Sequence, residues 1–124
     1  MSTVFISDHR RNEELSLRYH QAIAEELRAD PDRVLAIARN TLARWMDNHR
    51  GTGAMWYLEQ WDALLRESQE TLLELMASPS QEARDMRQCS PFAGVLSNRR
   101  RLGILSEFSR EWRRGGGLNA SRRT

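Results

Sequence analysis

The chain is 124 residues long, with 19 arginines, no lysine, 17 acidic residues and a formal net charge of +2. That length suits one domain with one modest core, and a single cysteine, Cys89, excludes an internal disulfide framework. The charge is unevenly placed. Residues 1–83 carry 9 arginines against 14 acids, a net −5, and residues 84–124 carry 10 arginines against 3 acids, a net +7. A basic C-terminal part fits an acidic protein or nucleic acid. No apolar run reaches the length of a membrane span and no secretory leader is recognisable, so a reducing cytoplasm is the expected compartment.

In chain order, Val4, Phe5 and Ile6 read as a short extended arm. Ser7 or Asp8 is the expected cap of a first helix over about 8–28, where Leu15, Tyr19, Ile23 and Leu27 recur every four residues beside Ala22. Asp30-Pro31 is a strong restart, with aspartate as N-cap and proline in the first helical position. A second helix over about 31–48 turns Val34, Leu35, Ala38, Leu42, Trp45 and Met46 inward. After a break at 48–53, Leu58, Trp61, Leu65, Gln69, Leu72 and Met76 keep one stripe, which favours a single rod over 54–77. Ser78 and Gln81 have capping-box spacing for a short helix over about 79–89. The expected fold is all-α, a compact bundle of five or six helices forming one domain over 1–114. A basic tail over 115–124 is expected to be disordered.

The stretch from Ser90 to Trp112 combines a turn, apolar groups and dense charge. Ser90-Pro91 sets the turn, and Phe92, Val95 and Leu96 fall on one side of a helical turn. Gly94 allows close approach of a neighbouring backbone or a left-handed φ. Ser97 caps a last helix over about 98–113, with Leu105, Phe108 and Trp112 as its stripe and Leu102 and Ile104 widening it. Arg99, Arg100 and Arg101 occupy its first turn, where the helix dipole disfavours cations by a few tenths of a kcal/mol each, on the order of 0.3. Three arginines set against the dipole point either to a compensating anion from outside the chain or to a solvated face of an arginine-rich protein.

Catalytic constellations do not assemble. His9, His20 and His49 are scattered without the ligand count of a metal site. Glu13-Glu14 and Glu25-Glu26 are consecutive and point to different sides of a helix, and Cys89 has no neighbouring base. The glycines at 115–117 follow no strand and make no phosphate loop. No enzyme, metal or cofactor is expected. Trp45 and Trp61 sit on buried faces, whereas one of Trp56 and Tyr57 is expected at the surface, where aromatics beside arginines make contact hot spots.

The segment SPFAGVL over Ser90–Leu96, followed by Arg99-Arg100-Arg101 and a helix, resembles the neutralising segment of small bacterial antitoxins from toxin–antitoxin pairs. In those families such a segment lies in the toxin's groove and an arginine reaches acidic catalytic residues. The resemblance covers about 25 residues of this chain. It implies Phe92, Val95 and Leu96 as anchors and Gly94 as the point of close approach. One of Arg99, Arg100 and Arg101 would then pair with the partner's carboxylates. The front half departs from that plan, with no ribbon-helix-helix motif. The expected function is therefore a non-enzymatic protein-binding module, an antitoxin-like neutraliser of an acidic partner such as a toxin enzyme. A nucleic-acid-binding regulator is the alternative, through Arg84, Arg87, Arg99, Arg100, Arg101, Arg122 and Arg123. A homo-oligomer joining acidic and basic halves is the third reading.

Overall fold

A computed structural model describes residues 2–116. They form six α-helices: α1 Ser2–Ala29, α2 Pro31–Asn48, α3 Ala54–Leu65, α4 Gln69–Ala77, α5 Gln81–Gln88 and α6 Asn98–Glu111. A 3₁₀ turn, Ala93–Val95, precedes α6, and a π-helical turn, Trp112–Gly116, follows it. Among the described residues there is no strand. Of the tail expected over 115–124, residues 117–124, with Arg122 and Arg123, lie outside the described residues.

Local chemistry sets most helix starts. The Asp30 side chain accepts from the Arg33 N–H, with Pro31 as the first helical residue. Ser68, Ser80 and Ser97 have extended backbones, and each accepts from the N–H three residues on. Two expectations change here. The 54–77 stretch is two helices, because Ser68 leaves the helical backbone and caps α4 while the apolar stripe continues across the break. The cap of α5 is Ser80, not Ser78; the Ser78 hydroxyl instead accepts from the Ser80 N–H at 3.1 Å and shapes the turn. Helix α1 begins at Ser2 among the described residues.

Helix α1 is the hub and packs on α2, α4, α5 and α6. Its Ala22, Ile23, Ala24 and Leu27 join Val34, Ala38 and Leu42 of α2, Leu58, Trp61 and Leu65 of α3, and Leu72 and Met76 of α4 in one buried cluster. Burying such side chains at about 25 cal/mol per Å² is the main drive to this arrangement. The Trp61 indole is fully buried and donates to the Met86 carbonyl at 3.0 Å, so its polar edge is satisfied. Trp45 is half-buried at the margin of the same cluster.

Candidate functional site

The Ser90–Leu96 loop turns inward. The Ser90 hydroxyl accepts from the Phe92 N–H at 3.3 Å, and Pro91 and Phe92 are fully buried. The Phe92 ring meets Trp61 edge-on, with centroids 5.6 Å apart. Val95 and Leu96 are buried as well, and the 3₁₀ turn packs on α2. The three apolar residues expected as partner anchors are thus core residues and are not available at the surface. Only Ala93 and Gly94 face outward. Gly94 has no positive φ, and a Cβ there would stand 3.5 Å from Ile37 Cγ2, an ordinary contact.

The arginine block divides into three environments. Arg100 is half-buried and donates to Glu25 Oε1 at 2.7 Å and to Glu26 Oε2 at 2.6 Å. Glu26 also takes Arg33. The anion that compensates the start of α6 is therefore the chain's own pair of carboxylates on α1, and Arg100 is committed to it. Arg101 lies over the Tyr19 ring at 5.6 Å, a cation–π contact. Arg99 is exposed and makes no ion pair among the described residues.

The far end of α6 is also held to α1. Arg18 pairs with Glu111, Arg11 donates to the Ser109 hydroxyl at 3.0 Å, and both guanidiniums lie 5.4 Å from the Phe108 centroid. Hydrogen bonding from Arg18 is the main cause that lowers the Glu111 carboxyl below its ordinary value. Phe108 is buried, Leu105 and Ile104 are half-buried, and Leu102 is 65% exposed. Leu102, expected to widen the inner stripe, points the other way. The helical period puts Arg99, Leu102, Gly103, Ser106 and Arg110 on one outward face, and all five are exposed. A Cβ on Gly103 would meet nothing within 4 Å. The folded chain thus gives no steric reason for a helix-interior glycine that costs about 0.5–1 kcal/mol relative to alanine.

Of the arginines expected for nucleic acid, Arg87 is only 4% exposed, and its Nη1 donates at 2.8 Å to both Leu75 O and Ser78 O. It is an internal strut that satisfies the end of α4. Arg84 is half-buried and lines a cleft of about 310 Å³ with His9, Asn12, Glu13, Ser16 and Arg87. Sequence reasoning missed the internal commitment of Arg87 and Arg100. Their partners are carbonyls on another helix and carboxylates about 74 residues away, neither of which leaves a local signal.

The three histidines have different surroundings. His9 pairs with Glu13 at 3.2 Å, and His49 approaches Trp45 O at 2.8 Å at the end of α2. His20 is buried at 5% exposure. Its Nδ1 lies 2.8 Å from the Ser16 carbonyl, which can only accept, so Nδ1 carries the proton. Its Nε2 has no partner. Burial, and then the charge on Arg87, outweigh the Ser16 bond and lower the His20 pKa to about 4 from an ordinary 6.5. The neutral ring is thus favoured by folding. Its contribution to stability is complete above pH 6.5 and is lost as pH falls toward 4. The expected loss is on the order of 2–3 kcal/mol. Urea midpoints measured above pH 6.5 and near pH 4 should separate, and His20→Leu should flatten that slope; an equally steep slope in the variant assigns the acid sensitivity elsewhere.

Burial also pushes the Cys89 thiol up, which keeps it protonated and a poor nucleophile. Among the described residues, no group of three or more His, Cys, Asp or Glu is placed to hold a metal. No helix among them is long and apolar enough to cross a membrane.

Trp56 and Tyr57 are both at the surface, 58% and 37% exposed, with ring centroids 4.9 Å apart in an edge-to-face pair. They border a groove of about 320 Å³ whose other walls are Gln60, Leu64, Leu75, Glu82, Asp85 and Met86. The exposed large hydrophobic residues among the described ones thus lie at two places, Leu102 on the outward face of α6 and Trp56 and Tyr57 beside this groove. Compared with protein-family models, curated proteins and solved structures, the chain matches none.

Proposed function

We propose that the chain is a non-enzymatic protein-binding module of the cytoplasm, an antitoxin-like neutraliser of an acidic partner protein. Its contact surface is the outward face of α6, with Leu102 as the apolar anchor and Arg99 and Arg110 as the flanking cations. The observation that carries this reading is the exposure of Leu102, at 65%, between arginines and beside Gly103. Arginine is enriched at interface centres, and covering an exposed leucine by a partner removes apolar surface from water. The open space over Gly103 lets a partner's backbone come close. The Ser90–Leu96 loop then supports the site from within, by seating the start of α6 against the core.

The test captures partners from the host with tagged chain, with and without nuclease, in the wild type and in Leu102→Glu. An acidic protein retained stoichiometrically after nuclease, and lost in Leu102→Glu, is the expected result. Capture unaffected by Leu102→Glu sinks the site, and material released by nuclease moves the assignment to a nucleic-acid regulator acting through Arg99, Arg101 and Arg110. Gly103→Ala separates stability from contact. Thermal melting should show a gain of about 0.5–1 kcal/mol, as a methyl replaces an exposed helix glycine. Titration with the captured partner should show weaker binding. A variant that is more stable and binds as tightly removes the close approach at this position.

A further inference from the structure

The aromatic groove and the α6 face are complementary to each other. The groove has an apolar floor of Leu64, Leu75 and Met86, an exposed aromatic edge of Trp56 and Tyr57, and the carboxylates of Glu82 and Asp85 on its wall. Neither carboxylate forms an ion pair among the described residues; Asp85 Oδ1 accepts only from Gln81, at 3.0 Å. Such a groove suits an apolar side chain that carries cations beside it, because aromatic faces and carboxylates both attract guanidinium groups. The described chain presents that chemistry at one exposed place, Leu102 between Arg99 and Arg110. Since Leu102 is exposed, it does not fill the groove of its own copy.

We infer that the groove of one copy receives the α6 face of a second copy. Leu102 enters over Leu64, Leu75 and Met86, and the flanking arginines meet Glu82, Asp85 and the rings of Trp56 and Tyr57. The local charges agree with this pairing, with Glu82 and Asp85 lining the groove and Arg99 and Arg110 on the exposed face of α6. The contact joins two different surfaces. It closes as a two-fold pair with both contacts made reciprocally, or as a ring, or it extends head to tail. The inference uses the same α6 face as the neutraliser but stands without it. If both hold, self-association masks the face until a partner displaces the second copy.

The experiment is sedimentation velocity on the full chain over a wide dilution series. It compares wild type, a groove variant (Glu82→Arg with Asp85→Arg) and a face variant (Arg99→Glu with Leu102→Glu). All four positions are exposed or half-buried, and circular dichroism checks that both variants stay helical. Wild type should self-associate, less so at high salt because the contact is charged. Each variant alone should associate about a hundredfold more weakly or worse, since each reversal opposes like charges. An equimolar mixture of the two should form a complex, because one supplies an intact groove and the other an intact face. A wild type that stays monomeric throughout overturns the inference. So does self-association that survives either reversal, or a mixture that remains monomeric. A monomeric wild type that still captures an acidic partner refutes the self-contact and leaves the neutraliser standing.

Discussion

Phe92→Ala is expected to destabilise the fold by about 3–5 kcal/mol, the range for truncating a fully buried aromatic side chain. The ring is inaccessible to solvent and closes edge-on against Trp61, itself fully buried. Removing it leaves a void among Trp61, Val95 and Leu96, which rigid helices fill only in part. Against a total stability of about 5–15 kcal/mol for a chain of this size, the loss is large. Urea denaturation reads it as a lower midpoint with an unchanged slope. A partner-anchor role for Phe92 makes the opposite forecast, near-normal stability with lost binding. A loss below about 1 kcal/mol, the scale of an ordinary surface change, would return Phe92 to the surface and undo the inward loop.

The second large effect belongs to Arg87. Arg87→Ala is expected to cost about 3–5 kcal/mol, because two carbonyls lose their donor at about 1–3 kcal/mol each and the buried stem loses its packing. The strut joins α5 to the end of α4 through Leu75 O and Ser78 O, both at 2.8 Å. Burial is the first cause that lowers the Arg87 pKa, with repulsion from Arg84 next. From so high an ordinary value the group stays charged. Arg87→Met keeps the apolar stem and removes only the donors, so it should cost less than the alanine variant. It should also raise the His20 pKa, since Arg87 is among the charges that oppose protonation of that ring. Titration of His20 by NMR checks this. Equal stability of wild type and Arg87→Met would show that the two carbonyls find water instead.

Much of the helical plan is written in short-range chemistry. Asp30-Pro31 and Ser97 announce their helices because a cap is satisfied within three residues of itself. Ile23, Leu27, Val34, Leu42, Trp61 and Met76 are core residues in the structure as their spacing requires. The break at Arg66–Ser68 is less legible, because the apolar period runs through it and Ser68 reads equally well as a position inside a rod. Ser80 displaces Ser78 as a cap for a similar reason, since two serines stand within reach of the same turn.

The candidate site lies on the other side of that divide. Spacing places Phe92, Val95 and Leu96 together, and it equally places Arg99, Leu102 and Arg110 together, but periodicity names a face without saying what covers it. Trp61 and α2 cover the first set, while nothing among the described residues covers Leu102. The same holds for charge. Composition alone establishes an arginine-rich C-terminal part, and three adjacent arginines look alike in one dimension. Only the packing of α6 on α1 separates Arg100, held by Glu25 and Glu26, from Arg101 over Tyr19 and Arg99 in solvent. The sequence by itself determined the all-α class and most of the core, because caps and amphipathic stripes act within a few turns of one helix. Tertiary structure alone decided which apolar residues and which arginines reach the surface, because that depends on contacts between helices far apart in the chain.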